Sequence, residues 1–336
     1  MTKILKVGVI GTGMIGQDHM RRLTDIIPNV AVTGLTDFDA DRAKQAAQKV
    51  PDVEIFDSTE ALIASDNVDA ILICSWGAAH EEAILPAIAA GKPILCEKPL
   101  AATQEACLRI IEAEVKHGKR LIQVGYMRRY DASYKAMKKV IENGDIGDPL
   151  IFHSIHRNPN VPSHYTGDMA ISDTMVHDID VSRWLLDSEV AKIRVVGSKQ
   201  NSKGGGLRDP LMALLEMENN TLASIEVSVN IGYGYDIQGE ISAEDGTVSL
   251  GETNKVVVKR QGRFEGEVLT DWKLRFVDAY DAELAQWVDA AREGGATGPS
   301  AWDGYAIQAV SDAGILSANS GKVVELDMAD KPALYL

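Results

Sequence analysis

The stretch "VGVIGTGMIGQDH" sets Gly11, Gly13 and Gly16 in a G-x-G-x-x-G spacing. It directly follows a short β-branched run and directly precedes a helical pattern, and that context constrains the fold more than any other feature of the chain. Gly11 permits the tight turn, Gly13 lets the main chain approach a pyrophosphate, and Gly16 allows close packing of helix on strand. Further short apolar runs follow: "KVGVIG" (6–11) is succeeded by "VAVTGLTD" (30–37), "DAILICS" (69–75), "KPILCEK" (92–98) and "RLIQVGY" (120–126). Helical patterns such as "ADRAKQAAQKV" and "TQEACLRIIEAEVKHG" separate them, the second closing on Gly118. Strands this continuously apolar are buried on both faces, and repeated strand–helix units imply an α/β fold with a doubly wound parallel sheet.

The second strand ends at Asp37, where an acidic residue hydrogen-bonds an adenosine ribose. A carboxylate there repels the 2′-phosphate of NADP, since two unit charges about 4 Å apart interact by roughly 4 kcal/mol at an effective dielectric near 20. No Arg at position 38 or 39 offsets that charge, so NAD is the expected cofactor. Met14 and Ile15 lie between the glycines and belong to the same candidate site. So do Ser75, Trp76 and His80 of "CSWGAAH", which follows another strand; Trp76 and His80 either flank the nicotinamide or cap the next helix.

After "ASYKAMKKVIENG" (132–144) the texture changes. "PLIFHSIHRN", "KIRVVGS", "PLMALLEME", "TLASIEVSVNIG", "DIQGEISAE", "GTVSLGE" and "NKVVVKR" follow one another with little helix between. Alternation in "TLASIEVSV" and the turn signals "NNT" and "EDGT" point to antiparallel hairpins. The expected second domain is α+β with a large, mostly antiparallel open sheet, spanning 126–336 after a nucleotide-binding domain at 1–125. Late helices come from "AYDAELAQWVDAAREGG" and "AWDGYAIQAVSDAGILSANSG", and "NSKGGGLRDP" (201–210) is read as a mobile loop.

A formal net charge of −15 argues against nucleic acid as a partner. Cys74, Cys96 and Cys107 form no C-x-x-C pair and read as buried thiols. The N-terminus lacks the pattern of a signal peptide and no apolar run reaches bilayer length, so a cytoplasmic protein without membrane contact is expected.

Two stretches carry candidate chemistry. "CEKPL" puts Glu97 and Lys98 at the end of a parallel strand, where ligands of such sheets bind, so both are also expected to contact the cofactor. There Lys98 either reaches a site or forms a structural salt bridge. "ISDTMVHDIDVSRWLL" (171–186) aligns Asp173, His177 and Asp180 on one helical face, with Asp178 and Ser182 directed elsewhere and read as solvated. The trio reads in three ways: a divalent metal site, a capped and solvated helix start using Ser172 or Asp173, or acid–base chemistry. The glycine loop favours the last, because a neutral histidine can take an alcohol proton while a lysine ammonium steadies developing alkoxide charge.

These residues, with "GYMRRYD" (125–131), "HRNP" (156–159) and "YGYDIQGEI" (233–241), resemble the glucose–fructose oxidoreductase/inositol dehydrogenase/rhizopine-catabolism family over essentially the whole chain. The likeness is greatest to its inositol 2-dehydrogenase branch. The resemblance implies a Lys98–Asp173–His177 triad without a metal: His177 as general base, Lys98 as hydrogen-bond donor, Asp173 as orienting group. It implies that Met127, Arg128, Asn158, Thr174, Asp180 and Tyr235 (over Tyr233) meet or frame a cyclic polyol. The expected reaction is NAD-dependent oxidation of myo-inositol to the 2-keto product, in a homotetramer. Other inositol-isomer dehydrogenases, aldose 1-dehydrogenases and a non-catalytic NAD-binding sensor are the alternatives.

Overall fold

The structure, a computed structural model, describes residues 4–199, 201–202, 204–251 and 257–336. The chain divides into two compact units, the first made of residues up to Tyr126 together with Tyr280–Gln308 and Ala329–Leu336.

Among the described residues the first unit has strands β1 (Leu5–Ile10), β2 (Val30–Thr36), β3 (Glu54–Ile55), β4 (Ala70–Ile73), β5 (Ile94–Cys96) and β6 (Ile122–Val124). Between them run helices α1 (Met14–Asp25), α2 (Ala40–Ala47), α3 (Thr59–Ala64), α4 (His80–Ala89) and α5 (Gln104–His117). All strand pairs are parallel in the order β3-β2-β1-β4-β5-β6, the doubly wound arrangement expected. Val7, Val9, Leu72 and Leu95 are wholly buried, as strands covered on both faces require. The order reverses between β1 and β4, which puts the ligand-binding crevice of such a sheet beyond Ile10 and Ile73. Ser58 and Thr103 cap α3 and α5 through their hydroxyls, and Gly118 ends α5 at φ +82°. The sequence gives no sign of β3, whose two exposed residues are too few to show a period.

The second unit contains α6 (Ala132–Glu142), β7 (Pro149–Arg157), α7 (Val176–Leu186), β8 (Val190–Gly197), β9 (Leu211–Met217), β10 (Leu222–Ser228), β11 (Asp236–Ala243) and β12 (Thr247–Ser249). The ribbon β13 (Val257–Arg260) and β14 (Arg263–Gly266) follows, then the short α8 (Trp272–Arg275). The predicted strand at 254–260 begins on residues outside the described ones, as does Lys203 of the predicted loop at 201–210. Helices α9 (Val277–Arg292) and α10 (Ala301–Ser320) and strand β15 (Val324–Glu325) complete the chain. The large sheet runs β12-β11-β7-β10-β9-β8-β15 and is antiparallel apart from β7 with β10. Along β9, Leu211, Ala213, Leu215 and Met217 are buried while Met212 and Leu214 are exposed, the period of two that fixes register.

The sequence reading assigns all of 126–336 to the second domain. The structure returns two late segments to the first unit, where Leu284, Trp287 and Val288 of α9 join Val7, Val9 and Leu23 in one core. Their apolar helix face shows that they pack, without showing on which sheet.

Candidate active site

The first unit offers a cradle at the crevice. A Cβ at Gly11 would stand 2.5 Å from the Ser75 nitrogen, and one at Gly16 would stand 2.2 Å from the Gly11 oxygen. Both positions therefore exclude any side chain. A Cβ at Gly13 would meet nothing within 4 Å, so its main chain faces open space at the N-terminus of α1. No side chain caps that terminus, which leaves first-turn N–H groups and the positive end of the helix for an anion. A cavity of about 700 Å³ opens there, lined by Gly11, Gly13, Asp37, Phe38, Arg42, Ser75 and Trp76 among others. The Ser75 hydroxyl oxygen in its wall is buried and makes no hydrogen bond among the described residues. These features fit a dinucleotide.

Asp37 holds the cradle together as well as facing it. Its Oδ2 accepts from the Thr12 backbone N–H at 2.7 Å and the Thr12 hydroxyl at 2.9 Å, while Oδ1 accepts from Asp39 N–H at 2.9 Å. Arg42, not used in the sequence reading, brings Nη1 to 3.7 Å from Asp37 Oδ1 and lies over the Phe38 ring. The Asp37 charge is thus partly offset from the first turn of α2, which inspection of positions 38 and 39 does not reveal. Met14 and Trp76 are exposed, and Ile15 packs on the core.

Beyond β5, Glu97 is buried and Lys98 half-buried. His80, expected either at the nicotinamide or as a helix cap, is 1% exposed. Its Nδ1 is 2.7 Å from the Pro99 carbonyl oxygen and its Nε2 2.9 Å from that of Ser75. Burial lowers its pKa below the ordinary imidazole value, against the upward pull of these carbonyls. His80 therefore ties the loops at 75 and 99 rather than presenting its ring to a ligand.

In the second unit the stretch 171–186 begins with a wide π-helical turn, Ala170–Met175, and continues as α7. Neither helical start is capped by a side chain, so the capping reading of Ser172 or Asp173 does not hold. His177 is 8% exposed and Asp173 half-buried. Asp180 is 1% exposed, and its carboxylate accepts from Arg129 Nη2 at 2.5 Å and Nε at 3.0 Å. Among the described residues no group of three or more His, Cys, Asp or Glu is placed to hold a metal ion.

Asp178 and Ser182 overturn the solvated reading outright, since both are fully buried. Asp178 accepts from Arg128 Nη1 and from the Ser154 hydroxyl, each at 2.7 Å, and lies 2.8 Å from His156 Nδ1. Burial works to raise its carboxyl, but the Arg128 guanidinium and His156 outweigh that and hold it well below the usual carboxylate range. Arg128, expected at the substrate, is 1% exposed and sits behind, its Nη2 2.9 Å from His156 Nδ1. The His156 ring lies 6.4 Å from that of His177 and 5.7 Å, edge-on, from that of Tyr235. Tyr235 is buried, and burial pushes its phenol up to about 12 against the pull of Arg128; Tyr233 is exposed and bonds to Asp236. Thr174 bonds to the Tyr165 hydroxyl at 2.6 Å, Met127 is buried, and the Asn158 backbone spans Ser228 and Ile231. His156 and Arg129 lie within "HRNP" and "MRRY", yet nothing in their spacing marks them as partners of residues in 171–186.

Comparison with known proteins covers both units. Residues 5–126 match the oxidoreductase family, NAD-binding Rossmann fold, and residues 138–326 match the oxidoreductase family, C-terminal alpha/beta domain. The chain is 49% identical over 332 residues to inositol 2-dehydrogenase 3 of Saccharopolyspora erythraea, covering 98% of each chain. It is 47% identical over 333 residues to inositol 2-dehydrogenase of Pseudomonas fluorescens, covering 98% of this chain and 99% of that one. Among solved structures, myo-inositol dehydrogenase from Lactobacillus casei in complex with NAD(H) and myo-inositol superposes with a TM-score of 0.96 at 35% identity, covering 99% of this chain and 100% of that one.

Proposed function

Because the chain belongs to the glucose–fructose oxidoreductase/inositol dehydrogenase/rhizopine-catabolism oxidoreductase family, we propose that it oxidises myo-inositol at C2 to the 2-keto product with formation of NADH. The observation that carries this reading is the full-length likeness to the Lactobacillus casei enzyme complexed with NAD(H) and myo-inositol.

The Gly11–Gly16 loop, Asp37, Ser75 and Trp76 hold the cofactor. Bound NAD supplies the hydride acceptor. In our reading His177 takes the proton of the reacting hydroxyl, Lys98 donates a hydrogen bond to its oxygen, and Asp173 orients the ligand. Met127, Arg128, Asn158, Thr174, Asp180 and Tyr235 meet or frame the polyol, with Arg128 held by Asp178 and Asp180 held by Arg129. A site built from hydroxyl-pairing groups rejects isomers that leave those groups without partners.

We further propose a homotetramer, supported by Val196, Met212 and Leu214 exposed on the large sheet. A cytoplasmic location is supported by three buried free thiols. No helix among the described residues is long and apolar enough to cross a membrane.

The test is NADH formation across inositol isomers and common aldoses. Myo-inositol should give the highest kcat/KM; clear glucose turnover with negligible inositol turnover would overturn the assignment in favour of an aldose 1-dehydrogenase.

A further inference from the structure

One buried titratable pair in the first unit has no part in the reaction as proposed. His19, on α1 beyond the glycine loop, is fully removed from solvent. Its Nε2 lies 2.7 Å from Glu97 Oε1, while its Nδ1 makes no hydrogen bond among the described residues. The ring's one hydrogen-bonding nitrogen is therefore aimed at the carboxylate. The other oxygen, Glu97 Oε2, accepts from the Lys98 backbone N–H at 3.2 Å. A Cβ at position 125 would stand 3.1 Å from that same oxygen, so the carboxylate lies where Gly125 leaves room for it. From behind, the His19 ring rests on Tyr280 at 5.6 Å, and Tyr280 is covered by Arg22, itself held by Asp281 at 2.7 Å.

Core stability does not call for such a pair. Removing two polar groups from water is costly, and well-packed apolar residues of similar volume serve a core equally well or better. What a buried hydrogen-bonded pair supplies is a fixed geometry, and here it is fixed at the residue preceding Lys98. Resting on the role proposed for Lys98, we infer that His19 is a positioning residue: through Glu97 it sets the main chain at 97–98 and thereby where the Lys98 ammonium stands. The helix whose N-terminus faces the phosphate cradle is the same one that carries His19, so cradle and lysine are joined through one rigid element.

The test compares wild type with His19→Phe, which keeps an apolar ring, and His19→Gln, which keeps a donor. For His19→Phe, kcat should fall by roughly 10- to 100-fold, the cost of a misplaced reacting group, with the dissociation constant for NAD within about threefold of wild type. His19→Gln should recover most of that loss. As a readout independent of turnover, the rate at which an amine-acylating reagent modifies Lys98, located by peptide mass spectrometry, should change several-fold in His19→Phe and return in His19→Gln. If His19→Phe does not fold, Glu97→Gln is measured in the same way and should show the same direction. Unchanged kcat and Lys98 reactivity, or a kcat loss matched by the loss of NAD affinity, would overturn the positioning role. Wild type inert towards inositol would instead defeat the functional assignment, and the Lys98 reactivity would still decide the pairing.

Discussion

Arg128 and Asp178 form an ion pair at 2.7 Å in which the side chains are 1% and 0% exposed. It joins β7, through Ser154 and His156, to α7 directly behind His177. Breaking a buried pair by removing one partner leaves the other charge uncompensated. Asp178→Asn should therefore cost about 3–5 kcal/mol of stability, read as a fall in the denaturant midpoint. A loss under about 1 kcal/mol, as expected for an exposed pair, would show that the site does not rely on it.

Asp37 has two tasks, and replacing it should expose both. Asp37→Ser removes the charge that repels a 2′-phosphate and also the acceptor of two bonds from Thr12. Discrimination against NADP should relax. NAD binding should weaken by about 10- to 100-fold, since a hydrogen bond to a charged group contributes about 1.5–3 kcal/mol. The ratio of kcat/KM for the two cofactors, with the KM for NAD, checks this. An unchanged ratio would remove Asp37 from cofactor selection.

Glu114 gives a pH signature. It accepts from Leu121 and Ile122 N–H and from the Tyr335 hydroxyl, which ties the C-terminal segment to α5. Burial raises its carboxyl above the ordinary 4.5, against those hydrogen bonds. A carboxyl raised on folding stabilises the native state in its protonated form. That contribution is complete below the unfolded value and is lost as pH rises through the folded one. Stability relative to Glu114→Gln should therefore decline as pH rises above the ordinary carboxyl value of 4.5, measured from denaturant midpoints. A difference that stays flat would contradict the shift.

His177→Ala separates chemistry from binding. Loss of a general base should lower turnover by about 10²- to 10⁴-fold, while NAD affinity stays close to wild type. Turnover and NAD binding measured on the same preparation decide the point. Comparable losses in both would deny His177 the role of base.

The glycine loop and the strands around it are legible in the sequence because their signals are local, unlike β3 and the late segments of the first unit. A strand end, three glycines and a helix start lie within "VGVIGTGMIGQDH", and the protein folds there as read. The acidic helix was less legible. Periodicity tells in which direction a residue leaves the helix axis, and the usual inference is that one of those directions is solvent. Every residue of α7 is buried except Trp184, so Asp178 and Ser182 point away from the ligand face without pointing at water. What Asp178 meets instead comes from residues 128, 154 and 156, and no spacing within 171–186 encodes them. Arg42 escaped for a related reason: it returns to Asp37 only because α2 begins where it does.

The reaction proposed removes a hydride from C2 of myo-inositol. The most direct test is to incubate the enzyme with NAD and myo-inositol deuterated at C2, and to analyse the reduced cofactor by mass spectrometry. Each NADH formed should carry one deuterium, and the product should bear a keto group at C2. NADH formed without the label would contradict it, because the hydride would then have come from another carbon.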